Sequence, residues 1–224
     1  MKKARNADLS IFIFRGNLMI KSNIKKVIAT SLIALTSLTF ISSAASAETF
    51  TGTIKDGVNR PVWYSSSVGS YGYTGTFDIG RAYWNVDTKA NLWKWDQVNN
   101  STDRYYIGTS DGGDLDTLGK TTPYKITSTG AAVLADPNET WNFSVVTLYH
   151  DAFQKKRWHG LTYRAMDADE IRKTSAHEVG HSLKMAHNVT MTSLDTVMRQ
   201  GIYDIPSTKI TTYDKNEFVK KWGY

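Results

Sequence analysis

Cysteine is absent from all 224 residues, so the chain can form neither a disulfide bond nor a thiolate metal site. Proline occurs only four times, and no proline-rich stretch divides the sequence. No internal repeat is visible either. Residues 48–224 are numerous enough to bury roughly 70% of their unfolded surface in one domain. We therefore expect a single domain held together by its core and by any metal it binds.

The chain has no basic excess outside its first 47 residues. The net charge of the whole chain is +6. Residues 1–47 hold seven Lys and Arg against Asp8 alone, and the remainder holds 20 basic and 20 acidic residues. The basic isoelectric point is thus a property of the N-terminal region. It gives no ground for expecting a nucleic-acid partner.

The same N-terminal region has the composition of an export signal. Three lysines precede a mostly apolar stretch over 27–41, and Ala45-Ser46-Ala47 follows it. This order predicts a secretory signal peptide within residues 1–47, with Met19 as the start and a secreted product. The apolar stretch is too short and too rich in Ser and Thr to span a membrane well, so no stable insertion is expected after cleavage. An uncleaved anchor is the alternative.

The run His177-Glu178-Val179-Gly180-His181 places two histidines four residues apart, with a glutamate beside the first. On a helix this spacing puts both imidazoles on one face, roughly 5–6 Å apart at Cβ, where both can reach one zinc ion. His187 is the candidate third ligand. Glu178 is the candidate general base, which takes a proton from a metal-activated water. The predicted reaction is hydrolysis of a peptide bond.

Two helices are indicated by their capping signals. Asp167 and Glu170 form a capping box for a helix over Ala168–Leu183, which carries the motif. Thr212 is the predicted cap of a last helix, Tyr213–Trp222, whose acidic residues come early and whose lysines come late. The side chains expected to pack this last helix on the core are Phe218, Val219 and Trp222.

The position of Lys184 bears on the third ligand. His187 cannot continue the helix face, so the chain must turn after about Leu183. Glycine suits such a turn, and a lysine in the left-handed conformation costs on the order of 1 kcal/mol. An acidic third ligand, Asp195 or Glu217, is therefore kept as an alternative to His187.

Over about Thr174–Met198 the sequence resembles the metzincin zinc metalloproteases, and within them the matrixin-like, short, secreted bacterial type. Asp195-Thr196-Val197-Met198 resembles their Met-turn, in which Met198 would form an apolar floor under the ligands. The resemblance implies a zincin-like α+β catalytic domain over residues 48–224, with a twisted mixed β-sheet, an active-site helix and a C-terminal helix. It also implies a monomeric zinc endopeptidase that acts on protein or peptide substrates. Without cysteine, the chain lacks the family's best-known latency device, a pro-segment thiol bound to zinc.

The rest of the sequence predicts several short strands and one further helix. The strands are expected at 61–65, 92–97, 104–108, 131–135 and 143–149, and the helix at 75–92. The resemblance implies that 131–135 is the edge strand beside which an extended substrate pairs.

Some features leave alternatives open. Asp111, Asp114 and Asp116 are spaced like oxygen ligands, so calcium binding is the alternative to a solvated acidic turn. His150 and His159 are interpreted as ordinary histidines without a metal. The alternative function is a catalytically inactive, zinc-stabilised secreted binding module, whose aromatic surface would bind sugar chains. The presence of the candidate base argues against it.

Overall fold

A computed structural model describes residues 49–110, 117–154, 156–158, 162–188, 195–199 and 209–223. The predicted signal peptide, the three aspartates at 111–116 and His159 lie outside these described residues. All described residues belong to one unit, Ile41–Tyr224. No helix among them is long and apolar enough to cross a membrane.

In chain order the elements are β1 (Asn59–Tyr64), α1 (Ser66–Ser70), α2 (Thr74–Asp87), β2 (Asn91–Lys94), β3 (Asp103–Gly108), β4 (Gly119–Ile126), β5 (Ala132–Leu134), β6 (Phe143–Tyr149), α3 (His150–Gln154), β7 (Lys156–Trp158), β8 (Thr162–Arg164), α4 (Ala168–Ser182) and α5 (Thr212–Trp222).

The main layer is a six-stranded mixed sheet in the order β2-β1-β3-β6-β4-β5. The first four strands of that order run parallel, and β4 is antiparallel to both β6 and β5. Helix α2 joins β1 to β2, because parallel neighbours need a crossover connection. Strands β7 and β8 form a separate antiparallel pair. The expectation of a mixed sheet combined with helices is confirmed.

The five predicted strands are present as β1, β2, β3, β5 and β6, with ends shifted by up to three residues. The helix predicted over 75–92 is α2, and it stops earlier than expected. Thr88 adopts extended backbone, and its hydroxyl donates to the carbonyl of Trp84 at 2.6 Å, which ends the helix at Asp87. Leu92 lies instead in β2, where it is buried.

Strand β4 has no counterpart among the sequence predictions, because Gly119 and Pro123 are residues that strands disfavour. Pro123 is tolerated here because its ring nitrogen faces the outer edge of the strand, on the side where its carbonyl accepts from Ala135 N at 3.0 Å. From Tyr124 onward this outer edge pairs with β5. No strand of the described residues pairs with it along Gly119–Thr122. Strand β5 is the edge strand of the sheet, as expected, but the unpaired edge beside the motif helix belongs to Gly119–Thr122 of β4.

Helix α4 carries the motif through the interior of the molecule. Its predicted capping box is present, with Asp167 accepting from Glu170 N at 2.9 Å and Glu170 accepting from Asp167 N at 3.0 Å. The indole of Trp84 in α2 donates to the carbonyl of Ala176 at 2.9 Å. Every residue of 173–180 is buried, because α4 packs against α2 on one side and against β4 and β6 on another.

Helix α5 is one residue longer at its start than predicted. Thr211, not Thr212, is the cap, because its backbone N–H donates to Asp214 at 2.8 Å and its hydroxyl accepts from Asp214 N at 3.4 Å. Phe218 is fully buried, as expected. Val219 is 45% exposed, so the prediction that it packs on the core is wrong.

Candidate metal centre

Three imidazoles converge at one end of α4. His177 and His181 lie one turn apart on the helix, and His187 returns to them from the segment that follows. The Nε2 atoms lie 3.0 Å apart between His177 and His181, 3.0 Å between His177 and His187, and 3.1 Å between His181 and His187. The structure thus brings together the three histidines that the motif singles out, in a group that could hold a metal ion.

The hydrogen bonds of the Nδ1 atoms show whether each Nε2 atom carries a proton or a lone pair. Nδ1 of His177 lies 2.6 Å from the carbonyl oxygen of Val197, and Nδ1 of His181 lies 2.8 Å from that of Met185. A carbonyl only accepts, so both Nδ1 atoms are the protonated ones and both Nε2 atoms present lone pairs. Lone pairs facing each other at 3.0 Å repel unless a cation lies between them. Zinc, which takes imidazole nitrogen at about 2.0–2.1 Å, fits this donor set.

The surroundings keep the histidines uncharged. Burial, with a smaller contribution from His187, lowers the pKa of His177 to about 4. Burial also holds the pKa of His181 well below its usual value and lowers that of His187. All three rings are therefore neutral at pH 7, which is the form that binds a metal.

The alternative third ligands are not part of this group. Among the described residues, the three histidines form the one cluster of histidines and carboxylates placed to hold a metal, and it includes neither Asp195 nor Glu217. Glu217 lies buried in α5, with Lys220 Nζ 2.5 Å from its carboxylate. The geometry therefore places His187, and not an acid, beside the first two histidines.

The chain reverses after α4 through a turn in which Lys184 takes the left-handed conformation. Its φ angle is 72°. Met185 N donates to Gly180 O at 3.0 Å and Lys184 N donates to His181 O at 3.1 Å, the two bonds of a Schellman motif. The turn predicted after Leu183 is confirmed. Lysine occupies the position that most often holds glycine.

Contacts of its side chain offset the cost of this conformation. Lys184 is fully buried, and Nζ donates to the carbonyls of Pro137 at 2.9 Å and Glu139 at 2.5 Å. The same atom lies 3.4 Å from the ring centroid of Trp141, a cation–π contact. Burial, reinforced by the charge of Lys221, lowers the pKa of Lys184 to about 7. This lysine therefore ties the turn beside the histidines to a loop more than forty residues away.

The expected Met-turn lies directly beneath the motif helix. Met198 is buried, and a Cβ on Gly180 would clash with its sulfur. Only glycine at this position lets the methionine approach the helix between the two ligand turns. Asn188 N donates to the carbonyl of Met198 at 2.9 Å, which links the turn to the residue after His187. Met198 therefore packs against the stretch of α4 between His177 and His181.

Asp214 is a supporting residue that the sequence analysis did not identify. Its buried carboxylate accepts from Val197 N at 3.2 Å, from Thr211 N at 2.8 Å and from the Thr196 hydroxyl. Val197 in turn accepts the Nδ1 proton of His177. The helix cap, the Met-turn and the first histidine thus form one connected set of hydrogen bonds. The pattern Thr-x-x-Asp at the start of α5 was its available signal.

Glu178 packs directly against strand β4. Its Oε2 accepts from the Thr121 hydroxyl at 2.8 Å, and a Cβ on Gly119 would lie 2.7 Å from its Cγ. Burial raises the pKa of Glu178 to about 7, and the Thr121 hydrogen bond opposes this shift. The carboxylate can therefore gain and lose a proton near neutral pH. Gly119 and Thr121 escaped sequence analysis because they lie in the strand that it did not predict.

A cavity of about 440 Å³ opens onto Glu178, His181 and His187. Strand β4 forms one of its walls. The other lining residues include the apolar side chains Phe50, Pro137 and Trp141. A base, a group of possible metal ligands and an apolar wall therefore share one opening.

No family model matches the chain, and no curated protein matches it. Among solved structures, it is similar to high choriolytic enzyme 1, a hatching enzyme zinc-protease from the medaka fish Oryzias latipes. The two share 11% sequence identity with a TM-score of 0.38, over 80% of this chain and 96% of that chain. A likeness this distant carries no argument about function.

Proposed function

We propose that the protein is a secreted zinc-dependent endopeptidase with a zincin-like catalytic domain, of the matrixin-like metzincin type. The observation that supports it most is the convergence of three Nε2 atoms within 3.0–3.1 Å of one another, where two of the three histidines, His181 and His187, line the same cavity as Glu178. In this proposal His177, His181 and His187 hold Zn²⁺, and Glu178 is the general base.

Bound zinc supplies Lewis-acid chemistry, in that it acidifies water and polarises a carbonyl group. Glu178 accepts the proton of the attacking water and returns it to the departing amine. In the metal-free protein, burial raises the pKa of this carboxyl group to about 7, which favours its uptake of a proton. The Thr121 hydroxyl fixes one carboxylate oxygen, so the other can face the reacting atoms. Val197 and Met185 hold the first two histidines in the tautomer that a metal requires.

The free edge of β4 is the proposed binding site of the substrate backbone. Backbone groups of alternate residues face the same side of a strand, so Gly119 and Thr121 point outward as Pro123 does. An extended peptide can add to this edge by main-chain hydrogen bonds. Such pairing needs an unfolded segment of several residues. We therefore propose unfolded or flexible protein segments as substrates.

The test is hydrolysis of casein by purified protein covering residues 48–224, with zinc and with a chelator. Glu178→Gln is expected to keep stoichiometric zinc and to lose at least about 100-fold in rate, because it removes the base without removing a ligand. Asp169→Asn, on the exposed first turn of the same helix, is the matched control and should cleave at the wild-type rate. Persistent cleavage by Glu178→Gln would contradict the mechanism. If the zinc-loaded protein shows no casein cleavage that a chelator can suppress, the result would favour the inactive binding module.

We also propose that the N-terminal region, residues 1–47, directs export of the protein. The proposed signal peptide over residues 1–47 predicts that protein recovered from the culture medium begins at Glu48. Mass spectrometry of its N-terminal peptide tests this prediction. Retention of the first 47 residues in the exported protein would support the uncleaved anchor instead.

A further inference from the structure

We infer that Phe50, Pro123, Pro137 and Trp141 form an apolar subsite for a large apolar side chain on the amino side of the scissile bond, and that Lys184 is the residue that positions it. The inference rests on the proposed function and specifies its substrate class. All four side chains line the cavity that contains Glu178 and His181. A peptide held beside the catalytic groups therefore meets this apolar surface.

Phe50 belongs to a segment that is fastened at several points. Its N–H donates to the carbonyl of Lys184 at 2.9 Å, and its ring centroid lies 6.1 Å from that of His181. Lys221 of α5 donates from one ammonium group to the carbonyls of Phe50 at 2.5 Å, Thr51 at 2.9 Å and Gly52 at 2.6 Å. The phenyl ring is thus held beside the histidines by backbone contacts that do not depend on its own packing.

The opposite side of the subsite is held by Lys184. Its ammonium donates to the carbonyls of Pro137 and Glu139 and lies against the ring of Trp141. Trp141 N also donates to the carbonyl of Thr53 at 3.1 Å, which joins this loop to the segment that carries Phe50. A glycine at position 184 would make the same left-handed turn with less strain, but it would have no group to hold the loop. We interpret the lysine as a support of the subsite.

The direction of the substrate follows from strand β4. Gly119 and Thr121 lie opposite Glu178, and Pro123 lies two residues further along the strand, toward the apolar subsite. Antiparallel pairs are the more stable kind, so the substrate is expected to run opposite to β4. Its residues before the scissile bond then lie beside Pro123. At about 3.3 Å per residue, the side chain in the subsite belongs to one of the three residues preceding that bond.

The experiment compares zinc-loaded variants on peptides that carry leucine, phenylalanine or serine at each of these three positions. The wild type should prefer an apolar residue at one position by about tenfold or more in kcat/KM, the scale of burying one such side chain. Phe50→Ala and Lys184→Met should each reduce that ratio at least about fivefold. Tyr71→Ala and Lys215→Met, two surface controls outside the cavity, should keep the wild-type ratio.

An unchanged ratio in Phe50→Ala would overturn the subsite, and an unchanged ratio in folded Lys184→Met would overturn the supporting role of the lysine. Binding of the same peptides to Glu178→Gln protein, measured by calorimetry, separates this inference from the proposed function. If wild-type protein cleaves no peptide, the proposed function fails. The subsite is still tested by binding. Glu178→Gln protein should bind the peptides with an apolar residue more tightly, and the double variant Glu178→Gln/Phe50→Ala should lose that preference.

Discussion

Replacing Asp214 with alanine is expected to weaken both the fold and the metal site, because one buried carboxylate supports two structures. Asp214 is 1% exposed. It accepts from Thr211 N at the start of α5, and from Val197 N and the Thr196 hydroxyl in the Met-turn. The carbonyl of Val197 receives the Nδ1 proton of His177 at 2.6 Å. Only Val197 lies between Asp214 and His177 in this set of hydrogen bonds, so a substitution at position 214 should also affect the position of His177.

The magnitude can be estimated from the groups that lose their acceptor. Loss of a helix-capping contact costs about 1 kcal/mol. The N–H of Val197 and the hydroxyl of Thr196 are then left buried without this partner, at about 1–3 kcal/mol each. The free energy of unfolding should therefore fall by about 3–7 kcal/mol in Asp214→Ala. It should fall by about half as much in Asp214→Asn, which retains one acceptor oxygen. Loss of the support behind a metal-binding histidine typically weakens metal affinity about 10–100-fold.

The two effects are measured separately. Guanidinium unfolding of metal-free protein gives the change in stability, and zinc competition against a chromophoric chelator gives the change in affinity. Asp169→Ala is the matched control, since this aspartate lies exposed on the first turn of α4 and pairs with Arg172. The reasoning is refuted if Asp214→Ala loses stability as calculated but binds zinc as tightly as the wild type. In that case the Met-turn does not hold His177 in place.

Three further outcomes are expected. His187→Ala should lower zinc affinity at least about 100-fold by chelator competition, and full zinc retention would move the third ligand elsewhere. Gly180→Ala should cost about 1–3 kcal/mol in guanidinium unfolding, because the new methyl group meets the sulfur of Met198, and wild-type stability would show that this packing is loose. The pKa of Glu178 is raised from 4.5 to about 7 in the folded protein, so the folded state binds more protons in that window and its stability falls as pH rises through it. Metal-free wild type should therefore lose about 3 kcal/mol relative to Glu178→Gln between pH 4.5 and 7, and parallel stability curves would contradict the shift.

Local sequence signals identified the parts of the site that lie on one helix. The four-residue spacing of His177 and His181 and the capping box at Asp167 depend on helix geometry alone, which short-range patterns specify well. The need for a reversal before His187 also followed from that geometry. These features could be predicted because each rests on residues only a few positions apart.

The residues that surround the motif could not be predicted in this way. Strand β4 carries Gly119 and Pro123, so its local preference opposes the strand it forms, and pairing with β6 overrides that preference. Thr121 and Phe50 reach the cleft from distant parts of the chain. No pattern within a short window could bring them to Glu178 or His181.

Lys184 shows most clearly which features could be predicted from the sequence and which depend on tertiary contacts. The sequence by itself determined that a lysine stands at a turn that favours glycine, at a cost set by the backbone of that one residue. Only the tertiary structure decided why the cost is tolerated, because the compensating carbonyls of Pro137 and Glu139 lie more than forty residues away in the chain. Helix geometry is a local property, whereas the burial of a charged group depends on which distant atoms surround it.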